Sequence, residues 1–150
     1  MSNIKLNKIF KTACIASDHA GFKLKEEIKD YLIENNFSVF DLGPYNDRSV
    51  DYPDYAKRLG NRIKLKKSNV GILVCGSGTG MAISANKIKT IRAAVCYNLK
   101  STRLSRQHNN ANIIALGARF TNKKLSLKLV EIFLKTKFEG GRHLRRVKKI

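Results

Sequence analysis

Residues 72–80, Ile72-Leu73-Val74-Cys75-Gly76-Ser77-Gly78-Thr79-Gly80, decide how the rest of the chain is read. An uninterrupted apolar run, without the in-out alternation of a half-exposed strand, reads as a strand buried on both faces. It passes directly into three glycines at alternate positions, and Met81 to Lys87 then read as a helix. Strand, glycine turn and helix start form the unit that repeats through α/β domains.

The same alternation extends outward in both directions. Towards the N-terminus, Thr12 to Ser17 reads as a strand, and Leu24, Ile28, Tyr31 and Leu32 mark one face of a helix. Phe37 to Leu42 is a second strand, closed by Gly43-Pro44. Ala56, Leu59 and Ile63 mark a second helix that begins near Pro53, and Val70 to Cys75 is the third strand. Towards the C-terminus, Arg92 to Cys96 is a strand, Lys100 to Asn109 a helix, and Ile113 to Leu116 the fifth strand. Leu125, Leu129, Ile132 and Phe133 define a last amphipathic helix. Five β-α units in series predict a single Rossmann-like three-layer α/β domain, a five-stranded parallel sheet with helices on both faces. The first ten or so residues read as a short tail. Residues 136–150, with Gly140-Gly141 and a basic cluster, are expected to leave the domain body.

The bulk composition bounds the function classes. A chain of 150 residues with 43% hydrophobic and 27% charged content is long enough to bury one core. No apolar run approaches the roughly 20 residues of a membrane span, and Asp18-His19 interrupt the only N-terminal apolar segment. Cys14, Cys75 and Cys96 are odd in number, widely spaced and form no CxxC pair; reduced thiols in a cytoplasmic protein are expected, with no structural metal. The net charge of +19 would attract polyanions or phosphorylated small molecules. Its lysines and arginines are dispersed, and no nucleic-acid-binding motif accompanies them, so a basic nucleic-acid-binding α/β domain is the weaker reading.

In open parallel sheets ligands bind beyond the carboxyl ends of the strands. The residues there are Ser17-Asp18-His19, Cys75-Gly76-Ser77-Gly78, Cys96-Tyr97-Asn98 and Gly117-Ala118-Arg119. The glycine turn lets backbone N–H groups approach an oxyanion. A dinucleotide fingerprint would need glycine where Met81 stands, and no Gly-Lys-Ser/Thr of a phosphate-binding nucleotide loop follows. Cys75, ending its strand at a helix start, is a candidate thiolate, whereas Cys14 reads as a buried structural cysteine. Asp18 is a helix cap or a sugar ligand, and His19 and His108 are candidates for proton exchange or phosphate binding. His108 is expected at the same sheet edge as the glycine loop. Arg119, and Arg142 with Arg146 four residues apart, offer guanidinium forks for a phosphate.

These motifs together resemble the ribose-5-phosphate isomerase B family, part of a wider group that includes galactose-6-phosphate isomerase subunits. The resemblance runs from Ala13 to about Val147. It rests on SDHAG at 17–21, VDYPDYA at 50–56, GILVCGSGTGMAISANK at 71–87, LSRQHNNAN at 104–112, LGAR at 116–119 and EGGRH at 139–143. It implies a cofactor-free aldose-ketose isomerase that interconverts D-ribose 5-phosphate and D-ribulose 5-phosphate through a metal-free enediol. Cys75 matches the base, Ser77 a hydroxyl beside the enediolate (threonine in many members), and His108 the residue that opens the furanose ring, with Asp18 on the sugar. Tyr52 and Asn109 match sugar contacts, Gly76, Gly78 and Gly80 the loop, and His19, Arg119, Arg142 and Arg146 the phosphate holders. In members that lack the cysteine a glutamate further on serves as base; here Met81, Ala82 and Ile83 offer no carboxylate. The family's C-terminal tail reaches a neighbouring subunit's site, which implies a homodimer or a dimer of dimers. Isomerisation of another sugar phosphate, such as a six-carbon aldose 6-phosphate, is the close rival.

Overall fold

The computed structural model describes residues 9–10, 12–65 and 69–150, so most of the expected N-terminal tail, residues 1–8, lies outside the described residues. Its elements are β1 (Thr12–Ser17), α1 (Phe22–Glu34), β2 (Ser38–Asp41), α2 (Tyr52–Leu65), β3 (Asn69–Cys75), α3 (Thr79–Ala85), β4 (Ala93–Val95), α4 (Leu99–Asn109), β5 (Ile113–Gly117), α5 (Lys123–Lys135) and α6 (Arg142–Val147). The five strands form one parallel sheet in the order β2-β1-β3-β5-β4. The last two strands are therefore not laid down in chain order.

Burial explains that order. Every residue of β3 and β5 is buried, as the apolar runs 70–75 and 113–117 within them require. β4 is three half-buried residues and β2 alternates exposed with half-buried positions, so both serve as edges. One core, around Ile15, Ile72, Val74, Ile114, Leu116 and Phe133, lies under α1, α4 and α5. The other, around Ala16, Leu59, Leu73, Met81, Ile113 and Ala115, lies under α2 and α3.

Local chemistry sets the helix ends. Pro53 sits in the first turn of α2, where a missing N–H costs nothing. Asn98 and Asn122 cap α4 and α5 by accepting from Ser101 N and Leu125 N at 2.8 Å each. One feature of α1 is invisible in its pattern. Lys25 is fully buried, donating to Asp41 Oδ1 at 2.8 Å and to the Pro44 carbonyl at 2.7 Å, and so ties α1 to the end of β2. Among the described residues, no helix is long and apolar enough to cross a membrane.

Candidate active site

The chain reverses its direction of winding between β1 and β3, which opens a crevice beyond their carboxyl ends. Asp18, just past β1, donates its backbone N–H to Val74 O at 3.1 Å, one residue before Cys75. The contact is so close that a methyl group on Gly21 would lie 2.3 Å from Val74 O. Asp18 is not the N-cap of α1. Its carboxylate accepts from Gly21 N at 2.9 Å and shapes the turn that leads into the helix.

Cys75 is buried, and its sulfur accepts from Gly78 N at 3.0 Å. Gly78 has φ +82°, a left-handed conformation open to glycine, which turns its N–H back towards the sulfur. Ser77 Oγ accepts from Thr79 N at 3.2 Å. Three further side chains surround the loop. The Tyr52 ring covers Gly80, where a methyl would meet it at 2.7 Å, and the Arg119 guanidinium covers Gly76, where a methyl would meet Nη1 at 2.9 Å. Tyr97, at the end of β4, donates its hydroxyl to Ser77 O at 2.7 Å. Nearby, exposed His19 accepts from Val50 N at Nδ1, 3.2 Å, which leaves Nε2 to carry the proton of the neutral ring. Asp18, His19, Tyr52, Cys75, the glycine loop and Arg119 thus gather at one sheet edge. Cys14 and Cys96 are buried; burial pushes the Cys96 thiol up, with Thr102 and Ser105 opposing.

His108 is elsewhere. It was expected beside the glycine loop, but it closes α4, a helix that starts after β4 and runs back along the sheet. The segment that follows it, Asn110 to Asn112, bonds to Arg92 at the start of β4, the amino end of the strands. Helix direction decides this: eleven residues at a rise of about 1.5 Å carry the chain about 16 Å from one edge to the other.

A second cluster forms around His108. The tail does not simply leave the body: Glu139 N donates to Gln107 O at 3.1 Å, and α6 returns to lay the His143 ring on His108, centroids 4.1 Å apart and 11° from parallel. Arg142 and Arg146 share one face of α6, and with His108, Asn109, His143 and Ile150 they line a cavity of about 460 Å³. Burial and then the charges of His108, Arg142 and Arg146, opposed by Glu139, hold the His143 ring below its ordinary value. The cavity is a cationic pocket suited to an anion. His108, Glu139 and His143 also bring three ligand atoms within 4.8 Å of one another. The two rings stack, so their in-plane lone pairs run side by side, and both would have to turn to share a metal.

His143, Glu139 and Tyr97 have no role in the sequence reading. His143 and Glu139 stand inside the EGGRH motif and Tyr97 stands at a strand end, so their positions were legible but their contacts were not.

Comparisons with known proteins bear on the family and the fold. The family model described as Ribose/Galactose Isomerase matches residues 13–150. Ribose-5-phosphate isomerase B of Escherichia coli is 41% identical over 93% of this chain and 94% of its own. The solved structure of the Clostridium thermocellum enzyme of that name is 46% identical, with a TM-score of 0.90 over 92% of this chain and 93% of its own. That of the Mycoplasma genitalium enzyme, which carries bound ribulose-5-phosphate, is 44% identical with a TM-score of 0.88 over 92% of each chain. With its sheet, its Cys75 loop and its C-terminal EGGRH segment all inside the matched region, the chain belongs to the ribose/galactose isomerase family, alongside the type B ribose-5-phosphate isomerases.

Proposed function

We propose that the protein interconverts D-ribose 5-phosphate and D-ribulose 5-phosphate by a metal-free enediol route, with Cys75 as the base. In the open-chain aldose, the Cys75 thiolate removes the C2 proton. The electron pair forms the C1–C2 double bond, and the charge moves to O1. The C2 hydroxyl proton passes to O1, and as the C2 carbonyl forms the Cys75 thiol returns its proton to C1, which leaves the ketose and regenerates the thiolate. Such a reaction needs a positioned base and fixed donors for the enediolate oxygen. The observation that carries this reading is the geometry at the end of β3: Cys75 sulfur accepts from Gly78 N at 3.0 Å, and Ser77, Tyr52 and Arg119 surround the same loop. Asp18 faces the sugar hydroxyls, and His19 and Arg119 hold the phosphate.

His108 opens the furanose ring, Asn109 contacts the sugar, and Arg142 and Arg146 complete the phosphate site. These four lie on the opposite edge from Cys75, too far along α4 to reach its substrate within one chain. The working unit is therefore at least a homodimer in which the α4–α6 edge of one copy closes over the Cys75 loop of the other. Phosphate binding at the non-reacting end positions C1 and C2 for the transfer.

Turnover of a panel of five- and six-carbon sugar phosphates, with a chelator present throughout, tests the proposal. Ribose 5-phosphate should be the preferred aldose and the chelator should leave its rate unchanged. A clear preference for a six-carbon aldose 6-phosphate, or loss of activity that added metal restores, would overturn the corresponding part.

A further inference from the structure

The N–H group that faces Cys75 belongs to a peptide unit held at its other end too. Gly78 N donates to Cys75 Sγ at 3.0 Å, and the carbonyl of that same unit, Ser77 O, accepts from the Tyr97 hydroxyl at 2.7 Å. A peptide group is planar, so fixing the direction of its C=O fixes the opposite direction of its N–H. Without that restraint the unit is free to turn. Gly78 is already at φ +82°, and glycine crosses between positive and negative φ at little cost. A turned unit would present a carbonyl oxygen to the sulfur in place of an N–H, which repels a thiolate rather than stabilising it.

The rest of the environment supports the phenol rather than the peptide. Tyr97 follows the edge strand β4 and reaches past the end of β5 to the loop after β3. Its ring stands edge-on to Phe120, with centroids 5.7 Å apart at 62°. On the other side Ser77 O faces Gly117, where a methyl group would lie 2.7 Å from it. The bare backbone of Gly117 leaves the carbonyl room but gives it no hydrogen-bond donor among the bonds found there. The hydroxyl is thus the group that fixes the carbonyl.

We propose that Tyr97 is a positioning residue for Cys75, its hydroxyl locking the Ser77–Gly78 peptide so that the Gly78 N–H faces the sulfur and favours the thiolate. Its consequence for turnover rests on Cys75 being the base; its effect on the sulfur does not. Tyr97→Phe keeps the ring contact with Phe120 and removes only the hydroxyl. One neutral hydrogen bond corresponds to a loss in kcat of about 3- to 10-fold, with KM nearly unchanged.

Alkylation of Cys75 by iodoacetamide, followed by mass spectrometry, gives a readout that a merely structural role would not move. At about pH 10, above the ordinary thiol range, wild type and variant should react equally fast. At about pH 7 the variant should be slower by about 3- to 10-fold. An unchanged ratio between the two pH values would overturn the proposal. So would a parallel fall at both, which would mean altered access to the sulfur. Near-normal turnover by Cys75→Ser would remove the assignment of the base, and the alkylation ratio would still decide the role of Tyr97.

Discussion

If the two clusters belong to one site only when two chains meet, then two dead variants should rescue each other. Take Cys75→Ser, which removes the base, and His108→Ala, at the far end of α4. Each loses a group acting on protons, so each alone should fall by about a hundredfold or more. His108 stands near the far end of α4, whose eleven residues carry the chain about 16 Å back along the sheet. In a two-fold dimer, each site then takes Cys75 from one copy and His108 from the other. In a mixed dimer one site carries both defects and the other carries neither. Refolding the two variants together in equal amounts makes about half the dimers mixed, and recovered activity should be about a quarter of wild type. Mixed dimers purified by two different affinity tags should reach about half, because one of their two sites is intact. A dimer of dimers gives the same fractions when sites remain pairwise. Purified mixed dimers no more active than their parents would refute the shared site and require both residues to act within one chain.

Other perturbations test neighbouring links. Gly21→Ala drives a methyl to 2.3 Å from Val74 O, a backbone atom that cannot step aside. It should cost about 2–3 kcal/mol by overpacking, or about 4–12 °C in Tm for a chain of this length, as calorimetry would show; an unchanged Tm would contradict the close approach of β1 and β3. If His108 opens the ring, His108→Ala can act only on sugar that opens by itself. Its rate on ribose 5-phosphate should level off as enzyme is raised, whereas the wild-type rate keeps climbing; a linear rise for the variant would exclude the role. Burial raises the Asp41 carboxyl, but Lys25, the Gly43 N–H and Lys29 together outweigh it and hold the group below its ordinary value. A carboxyl depressed in the fold stabilises above its unfolded value, near 4, and that stability is lost as pH falls through the folded value. Asp41→Asn should therefore be less stable than wild type near neutrality and lose less stability on acidification from about pH 5 to pH 2 in urea titrations. Parallel acid limbs would mean that Asp41 contributes nothing there.

Much of the fold was legible because the signals for it are local. The unbroken runs Val70 to Cys75 and Ile113 to Leu116 read as doubly buried strands, and both are central in the sheet. Helix boundaries shifted by only one or two residues where capping decided them, as at Asn98, which starts α4 one residue earlier than the apolar pattern does. α6 lies in the segment expected to leave the domain body, because six residues carry too little periodicity to declare a helix. The burial of Lys25 left no trace in sequence, since a lysine on an amphipathic helix ordinarily reaches solvent and its acidic partner Asp41 lies sixteen residues away.

The amino-acid sequence by itself determined the alternation of strands and helices, the glycine loop that follows Cys75, and the motifs that mark the family. Each of these is written in residues that are neighbours along the chain. Only the tertiary structure decided which of those motifs share a space. The winding reversal between β1 and β3 joins Asp18 to Cys75. The run of α4 back along the sheet takes His108 away from both, to the edge where α6 meets it. The physical reason is that a motif records what a residue can do, whereas its partners depend on strand order and helix direction, which are set by how the whole chain buries its apolar surface.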